Sequence, residues 1–294
     1  MQYYLVKLIC WLLRPLPAGM RNRIGDFIGE SLWPLVPMKR REMAVANVMA
    51  SLGLDAPSAL AVVRRSAVRF GRMFMELLTI PKLTRNNIDS FVILRGREYF
   101  DQAFAHGKGV IIAAAHSGNW ELIGPALALY GYEIVGVAQR QTNAAMDRLI
   151  NEIRTSTGMH ITYKSGVREM IAYLSEGKAI GLIMDQDARE QGVFTEFFGR
   201  IASTPQGPAA LSRMKGSLIV PTFITANADG THTIIFHPPL ATEKTDDRDR
   251  DFLVTTRKLN AILEEHIRAH PHEWFWLHNR WKTKPPAEKA GQDK

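Results

Sequence analysis

The sequence predicts an α/β protein with a layered α/β/α core, a mostly parallel sheet and a preceding N-terminal helical region that associates with a membrane. The first observation is that short apolar runs alternate with helical stretches after residue 85, as in a parallel sheet covered by helices. The second is that residues 1–85 show helical periodicity only. We therefore expect the membrane-associated helical region over 1–85, the core over 86–284 and a polar, disordered tail over 285–294.

The composition limits the classes of partner. The chain has 294 residues, and its 46% hydrophobic content suffices for a sizeable core. A net charge of +8 favours anionic partners such as nucleic acid, anionic lipid, phosphorylated substrates or an acidic protein. The single cysteine, Cys10, excludes an intrachain disulfide and any cysteine-based metal cluster.

The N-terminal region contains two neighbouring apolar stretches. Residues 3–13 are apolar except for Lys7, and as a helix they would cover about 16 Å, roughly half of a hydrocarbon core. They do not resemble a signal peptide, because no basic segment precedes them and no small-residue cleavage site follows. Residues 20–36 combine an apolar face with arginines, which favours a helix lying in the membrane interface. A core helix of a soluble domain is the alternative. Residues 41–52 and 57–80 are predicted as two further helices.

The order of the core elements follows from periodicity, turn residues and helix caps. Strands are predicted at 92–94, 110–115, 134–138, 160–163, 179–184, 218–225 and 231–237. Helices are predicted at 98–105, 120–130, 144–157, 167–175, 205–214 and 249–269. The last two strands are separated by a turn-forming segment and are expected to form an antiparallel hairpin.

The strongest candidate for chemistry follows the apolar run 110–115. That run breaks at His116-Ser-Gly-Asn119, and a helix capped by Asn119 is predicted to begin at Trp120 with Glu121 in its first turn. His116 then lies at the carboxyl end of a strand, where open α/β sheets bind ligands. Residues five apart on one helix are rotated by ~140°, so His116 and Glu121 meet only if the chain turns between them. An imidazole oriented by a carboxylate is a general base; a strand-capping histidine beside an ordinary first-turn acid is the alternative.

Other polar residues follow neighbouring strands and are expected at the same crevice. Asp185 and Asp187 end the strand 179–184. They could bind Mg²⁺, orient a base or hold a basic side chain; the alternative is that they cap local backbone. Arg140 follows the strand 134–138, and Arg154 lies on the next helix.

An aromatic segment follows Asp187. Phe197 and Phe198 belong to this segment, at residues 194–199. They could line a channel for an acyl chain or pack in the core.

Two stretches near the C-terminus also have alternative interpretations. His266, His270 and His272 have a spacing that metal sites use, although a structural role is the favoured interpretation. Residues 274–282 alternate tryptophan with basic residues. That pattern suits a membrane interface or phosphate-bearing ligands, with stacking on nucleic acid bases as the rival use.

The sequence lacks several common catalytic motifs. It contains no G-x-S-x-G, no H-E-x-x-H and no G-x-x-x-x-G-K-[ST], so serine-hydrolase, zinc-protease and P-loop chemistries are disfavoured. We expect no metal and no other cofactor.

The segment His116-Ser-Gly-Asn-Trp-Glu121 resembles the H-x-x-x-x-[DE] motif of the glycerolipid acyltransferase superfamily. With the preceding Gly107-Lys-Gly-Val, it resembles one branch, the bacterial lipid A biosynthesis acyltransferases (the lauroyl/myristoyl transferase family). The similarity covers nearly the whole chain. The other matching features, in order, are the apolar N-terminus, Arg41 with Asn47, Gly96-Arg-Glu98, Asp185-Gln-Asp187, Gly192-Val-Phe with Phe197-Phe198-Gly199, Thr204, Pro271-His-Glu-Trp274-Phe-Trp276 and Arg280-Trp281-Lys282.

The resemblance implies an α/β/α core with an added helical bundle, attached to the inner membrane from the cytoplasmic side. It implies transfer of a fatty acyl group from an acyl carrier protein thioester to a hydroxyl of a lipid A precursor. His116 would be the base and Glu121 its partner. Arg154 and Asp187 match positions important for activity in the family, and Arg140 matches a less firmly assigned one. The N-terminal apolar segment is shorter than the spanning anchor of many relatives.

The remaining candidates for substrate binding are Asn119, Asp185, Phe197 and Phe198. The expected mechanism is direct attack of the acceptor hydroxyl on the thioester, because no residue near the motif is a plausible covalent nucleophile.

Three alternatives to this function remain. The same chemistry could serve another glycolipid, a glycerolipid or an ornithine lipid, or could use acyl-CoA as donor. A non-catalytic membrane-bound scaffold is disfavoured by the intact His116 and Glu121. A nucleic-acid partner is not expected, because it would leave the apolar N-terminus unexplained.

Overall fold

A seven-stranded sheet lies at the centre of the computed structural model, which describes residues 2–13 and 15–286. In chain order, the strands of the described residues are β1 (Val92–Arg95), β2 (Val110–Ala114), β3 (Ile134–Ala138), β4 (His160–Tyr163), β5 (Ala179–Ile183), β6 (Val193–Phe197), β7 (Arg200–Thr204), β8 (Leu218–Ala226) and β9 (His232–Phe236). Strands β6 and β7 form a separate two-stranded sheet, and the other strands form the central one. The helices are α1 (Gln2–Leu13), α2 (Ala18–Leu32), α3 (Met38–Leu52), α4 (Ala56–Leu77), α5 (Arg97–Ala105), α6 (Ile123–Leu129), α7 (Ala144–Thr155), α8 (Val167–Ser175), α9 (Gly207–Lys215) and α10 (Arg248–Ala269).

The sheet is mostly parallel, and its strand order is β1-β9-β8-β2-β5-β3-β4. Strands β8, β2, β5, β3 and β4 all pair in parallel. At the other edge β9 runs antiparallel to β8, and β1 pairs in parallel with β9. The mostly parallel sheet and the antiparallel hairpin near its end are therefore confirmed. Strands β2 and β5 are neighbours although α6, β3, α7, β4 and α8 lie between them along the chain.

Helices cover both faces of the sheet, as the packing of β2 shows. Alternate side chains of this strand belong to two different hydrophobic clusters, because successive side chains of a strand point to opposite faces. Val110 and Ile112 pack with residues of α5, α6 and α7, whereas Ile111 and Ala113 pack with residues of α8, α9 and α10. All five residues of β2 are buried, so a purely apolar run is required there.

The aromatic segment after Asp187 is a hairpin, not the loop that the sequence predicted. Strands β6 and β7 pair antiparallel, and Phe198 and Gly199 form the turn with positive φ. The segment alternates buried and exposed residues only weakly, so its period-2 pattern is hard to recognise in the sequence.

The N-terminal helices are joined to the core by close helix packing. Helix α2 crosses α4 at Gly25, Gly29 and Gly71. A Cβ added at Gly29 would lie 2.0 Å from the carbonyl oxygen of Val68, so this contact requires glycine. Helix α4 in turn supplies Val63 to one hydrophobic cluster and Met75 to the other. The predicted helical nature of this region is confirmed for the described residues up to Leu77, whereas the separation of 1–85 as a domain stays a prediction.

The N-terminal helices keep many apolar side chains in contact with solvent. Large exposed residues here are Tyr4, Leu8, Ile9, Trp11, Leu12, Met20, Phe27, Leu32, Leu35 and Met38. Among the described residues, no individual helix combines the length and apolarity that a membrane span needs; α3 and the segment from α4 to residue 82 meet the test only as a pair bent by 114°. The predicted disordered tail falls, from residue 287 onward, outside the described residues.

Candidate active site

The register of two neighbouring strands brings His116 and Asp185 together. In the β2–β5 pair, Ala114 lies opposite Ile183. His116 and Asp185 each follow two residues later, so both side chains emerge at the carboxyl edge of the sheet on adjacent strands. The imidazole Nδ1 of His116 lies 2.8 Å from Oδ1 of Asp185, and the backbone N–H of His116 donates to Oδ2 over 2.9 Å. Among the three roles considered for Asp185, orienting a base is the one that this geometry supports.

The Asp185 carboxylate is buried and held in its charged form. Its Oδ2 also accepts a hydrogen bond of 2.7 Å from the indole Nε1 of Trp274. Burial acts to raise the pKa of Asp185, but the charge and hydrogen bonds of His116 and the indole N–H together hold it below its ordinary value. An ionised carboxylate can only accept, so Nδ1 of His116 carries a proton, and in the neutral form of the ring the lone pair is on Nε2.

Nε2 is the ring nitrogen of His116 that Asp185 does not contact. The side-chain nitrogen of Gln186 lies 3.5 Å from Nε2, at the limit of a hydrogen bond. The Trp120 ring packs edge-on against the imidazole, with the ring centroids 4.8 Å apart. The His116 side chain is 20% exposed. The imidazole is therefore oriented by Asp185 and partly exposed.

Glu121 does not hydrogen-bond to the imidazole, which corrects the predicted His116–Glu121 pair. Its carboxylate binds the guanidinium of Arg154 on α7 through two bonds of 2.6 Å, Nε to Oε2 and Nη2 to Oε1. Burial alone would lower the pKa of Arg154, but the bonds to Glu121 raise it. A bidentate guanidinium satisfies both carboxylate oxygens, while Asp185 already occupies Nδ1 of His116. The chain does turn between His116 and Glu121, as the five-residue spacing predicted, but the turn directs the Glu121 carboxylate to Arg154 and not to His116.

Asn119 also differs from its predicted role. The segment Trp120–Leu122 is a 3₁₀ helix that leads into α6, and the Asn119 side chain makes no capping bond to it. Its Nδ2 instead donates to Oε2 of Glu76 on α4 over 2.8 Å. Asn119 is buried, so it supports the catalytic loop and does not contact solvent.

The loop after β2 is fixed by contacts from distant segments. Gly118 has φ +59°, and a Cβ there would lie 2.0 Å from the carbonyl oxygen of Ile224, so no other residue fits without movement. Its N–H donates to the carbonyl oxygen of Glu273 over 3.0 Å, and its own carbonyl accepts from Nη1 of Arg69 over 2.6 Å. The Ser117 hydroxyl lies 2.9 Å from Nε2 of His266. The catalytic loop is therefore rigidly positioned from α4, β8 and the segment after α10.

A second histidine–carboxylate pair lies behind this loop. Nε2 of His232 lies 3.4 Å from Oε2 of Glu76, the same oxygen that Asn119 contacts. Burial opposes the charge of each group, yet their mutual interaction lowers the pKa of Glu76 and raises that of His232. Arg69 lies near Glu273 and Glu76, and its burial lowers its pKa to about 10. The contact between the two groups therefore favours the charged form of each.

Other predicted site residues have different surroundings. Asp187 lies near the opening, where its Oδ2 accepts from the Thr283 hydroxyl over 2.8 Å and its backbone N–H donates to His278 Nε2 over 2.9 Å. Arg140 lies over the ring of Tyr163 with its Cζ 4.3 Å from the centroid. These two residues do not contact His116.

Phe197 and Phe198 are core residues, which corrects their assignment to substrate binding. Phe197 packs against Trp274 and Trp281, and Phe198 against Trp276. Both rings belong to the hydrophobic cluster on one face of the sheet. Because neighbouring aromatic rings already surround them, the alternative of core packing is the correct one.

The described residues contain no group of three or more His, Cys, Asp or Glu side chains placed to hold a metal ion. His266 is buried, and its burial, with the charges of His270 and His237, lowers its pKa to about 3. The favoured structural role for this histidine group agrees with those contacts.

The sequence reasoning missed several supporting residues. Arg69 and Glu76 lie on α4, which was predicted only as a helix, and the Nε and Nη2 of Arg69 are buried. Trp274 was assigned to a membrane or phosphate contact, but its indole is buried against Asp185. A helix face of mixed charge gives no signal for such burial, since only the tertiary packing of α4 against the loop decides it.

Comparison with known proteins agrees with the geometry. A family model described as bacterial lipid A biosynthesis acyltransferase matches residues 1–283. The chain is 27% identical over 219 residues to a phosphatidylinositol mannoside acyltransferase of Mycobacterium tuberculosis, covering 72% of this chain and 67% of that one.

Two Escherichia coli proteins match over almost the whole chain. The lipid A biosynthesis lauroyltransferase is 26% identical over 287 residues, covering 94% of this chain and 90% of that one. The lipid A biosynthesis palmitoleoyltransferase is 23% identical over 288 residues, covering 96% and 91%. The relatives are acyltransferases, and the present chain carries an oriented histidine at the carboxyl edge of its sheet. The chain belongs to the bacterial lipid A biosynthesis acyltransferase family and is an O-acyltransferase.

Proposed function

We propose that the protein transfers a fatty acyl group from an acyl carrier protein thioester to a hydroxyl of a lipid A precursor, with His116 as the general base and Asp185 as the group that orients it. The observation that carries this proposal is the contact between Nδ1 of His116 and Asp185, which leaves Nε2 of a partly exposed ring to act as the base. Glu121 is not part of this base; it pairs with Arg154.

The reaction follows from the free nitrogen. Nε2 of His116 removes the proton of the acceptor hydroxyl while that oxygen attacks the thioester carbonyl carbon. The tetrahedral intermediate then collapses, the carbon–sulfur bond breaks, and the leaving thiolate takes the proton back from Nε2. Asp185 stabilises the imidazolium that exists between these two steps. General-base assistance of this kind contributes about 10²–10⁴-fold to the rate.

Direct attack is favoured over a covalent acyl-enzyme. The nearest hydroxyl to His116 along the chain is that of Ser117, which is buried and lies against His266. A nucleophile needs access to the donor carbonyl, which this hydroxyl lacks. Accumulation of an acylated protein in the presence of donor alone, detected by intact-protein mass spectrometry, would contradict direct attack.

The acceptor and the donor have specific alternatives. The similarity to mannoside acyltransferases favours, as a second candidate, another phosphorylated glycolipid as acceptor. The net charge of +8 suits an acidic carrier protein and an acceptor that bears phosphates, and acyl-CoA is the alternative donor. In each case the nucleophile is an alcohol of a glycolipid.

The test is mass spectrometry of the products formed by the purified protein. The protein is given acylated carrier protein or acyl-CoA, together with either a tetra-acylated lipid A precursor or a phosphatidylinositol mannoside. We expect a mass gain of one acyl chain on the lipid A precursor with the carrier-protein donor. Transfer only to the mannoside, or only from acyl-CoA, would contradict the corresponding part of the proposal.

His116→Ala is the matched control for this assay. We expect loss of about 10³-fold or more in transfer, because the base is removed, with unchanged circular dichroism and unfolding midpoint. A folded His116→Ala protein with near-normal turnover would overturn the assigned role of His116.

We also propose that the exposed apolar residues of α1 and α2 attach the protein to the cytoplasmic face of the inner membrane. Trp11 and Leu8 lie on α1 with more than half of their surface exposed. Insertion of such side chains into lipid contributes about 1.5–3 kcal/mol each. We expect Leu8→Gln/Trp11→Gln to reduce sedimentation with anionic vesicles at least tenfold, and high salt to reduce it further. Met214→Gln on α9 is the matched control, and equal binding by both variants would contradict the attachment.

A further inference from the structure

A polar cleft of 460 Å³ lies beside α7 and is separate from the His116 loop. Its lining includes Arg140, Asp147, Arg148, Asn151 and Tyr163. Arg140 follows β3 and Tyr163 ends β4, so the cleft opens at the carboxyl ends of two adjacent parallel strands. Open α/β sheets bind their ligands at this edge, and the volume is that of a small-molecule site.

Arg140 offers the cleft an uncommitted guanidinium. Within residues 2–13 and 15–286, no hydrogen bond or ion pair engages this group, which rests on the ring of Tyr163. By contrast, Arg154 donates two hydrogen bonds to Glu121, and Arg148 donates one to Glu152. A guanidinium held flat on an aromatic ring keeps its in-plane N–H groups available for an anion.

The two acids at the cleft are already satisfied by protein groups. Asp147 accepts from the backbone N–H of Gln141 and from the Tyr163 hydroxyl, both over 2.8 Å. Glu152 accepts from the Tyr3 hydroxyl and from Lys7 of α1. Arg148 also lines the cleft but is paired with Glu152. Among the described residues, Arg140 is therefore the lining cation whose charge no hydrogen bond or ion pair engages.

Helix α7 connects the cleft to the residue pair that holds Glu121. Asp147 interacts electrostatically with both Arg140 and Arg154. Residues 147 and 154 are seven apart, which is about 10 Å along a helix, and Arg154 holds Glu121 of the catalytic motif. The cleft and the pair that holds Glu121 therefore lie on the same helix.

Helix α1 places the cleft next to the segment proposed to enter the membrane. Tyr3 and Lys7 contact Glu152 at the rim of the cleft, while Tyr4, Leu8 and Trp11 of the same helix are exposed. A lipid whose chains lie beside α1 would thus present its head group to Arg140.

From these contacts we propose that the cleft binds a phosphate group carried by a substrate, with Arg140 as its principal ligand and Arg148 as a second cation. The position beside α1 favours the phosphorylated head group of the acceptor lipid over the phosphate of the donor's pantetheine arm. The assignment of the ligand to a substrate rests on the proposed function.

The test measures binding without turnover. Full-length protein is sedimented with phosphatidylcholine vesicles that contain a tetra-acylated disaccharide lipid, either with its two phosphates or after their removal. We expect the wild-type protein to prefer the phosphorylated lipid by on the order of tenfold, the effect of one charge-assisted contact. Arg140→Ala should lose this preference, and Arg140→Lys should retain part of it. Arg257→Ala, an exposed arginine of α10, should keep the wild-type preference.

A calorimetric titration with 4′-phosphopantetheine and with pantetheine distinguishes the two sources. If Arg140→Ala weakens binding of phosphopantetheine only, the phosphate belongs to the donor and the acceptor assignment is overturned. If Arg140→Ala changes neither measurement, the cleft is not a phosphate site. A protein that shows the vesicle preference but transfers no acyl group would overturn the proposed function and leave the cleft assignment standing.

Discussion

The carboxylates of Asp185 and Glu121 have different partners. Asp185 lies close to His116 across the sheet, and Glu121 lies close to it along the chain. Glu121 is five residues from His116 but binds Arg154 of α7. Asp185 is 69 residues away but holds Nδ1 of the imidazole, because β2 and β5 are neighbours in register. Strand pairing, not distance along the chain, therefore decides which acid orients the base. The carboxylate of the H-x-x-x-x-E motif has a structural partner of its own.

The largest expected difference separates two matched amide substitutions. Asp185→Asn should reduce the single-turnover rate of acyl transfer by about 10²–10⁴-fold, because the amide no longer fixes the tautomer or stabilises the imidazolium. Glu121→Gln should reduce this rate much less. Rapid-quench measurements on both variants at saturating substrate check the prediction, and an equal or reversed order of the two losses would contradict the assignment.

The second prediction concerns stability, for which Glu121 and not Asp185 is the more important of the two acids. Glu121→Gln leaves the guanidinium of Arg154, which is only 18% exposed, without its anion. Loss of one partner from such a pair should lower the unfolding free energy by about 2–3 kcal/mol. Denaturant unfolding checks this value. The double variant Glu121→Gln/Arg154→Met should recover part of the loss, and additive losses in the double variant would argue against a coupled pair.

A smaller effect is expected from Trp274, which supports only Asp185. Trp274→Phe removes the indole donor to Oδ2 and should lower kcat by about tenfold, the value of a hydrogen bond to a charged group. Trp276→Phe is the control, since that indole donates to the carbonyl oxygen of Pro271. Steady-state kinetics should show a fall in kcat for the first variant only. Equal falls would indicate that loss of aromatic packing, and not loss of the donor, is responsible.

The smallest predicted effect concerns the third carboxylate, Glu76, and its partner His232. Burial disfavours the charged imidazole, but Glu76 raises the pKa of His232 above its ordinary value. The stabilisation from this pair is therefore complete below the unfolded-state pKa of about 6.5 and is lost as the pH rises through the higher folded-state pKa.

Urea unfolding between pH 6 and pH 9 measures this contribution. The unfolding free energy of the wild type should fall with rising pH relative to that of His232→Gln. His106→Gln, at an exposed position of the loop after α5, should follow the wild type. A pH dependence that His232→Gln leaves unchanged would contradict a charged pair behind the loop.

Much of the fold could be predicted from local pattern. Strands β3, β4 and helix α8 begin and end where the periodicity predicts, because each is a short amphipathic or apolar run with clear turn residues at its ends. The hairpin of β6 and β7 was missed because the two strands have no regular alternation of polar and apolar residues. Helix α7 begins at the predicted residue, Ala144, where the Asn143 side chain caps it by accepting from two backbone N–H groups.

The site was only partly predictable. The sequence placed His116 and Asp185 at one crevice, since both end strands of a parallel sheet. It could not show that these strands are adjacent, because strand order is a property of the tertiary fold. It also could not reveal Arg69, whose burial depends on how α4 packs against the loop. Local sequence thus predicts which residues reach the edge of the sheet, and topology decides which of them meet.

The most direct test of the central claim is the protonation state of the His116 ring, measured by ¹⁵N NMR on protein labelled at histidine. The signal is assigned with His116→Gln. The account predicts a neutral ring with its proton on Nδ1 and a bare Nε2, unchanged in Glu121→Gln and altered in Asp185→Asn. A proton on Nε2 in the wild type, or a ring that responds to Glu121→Gln but not to Asp185→Asn, would contradict the account.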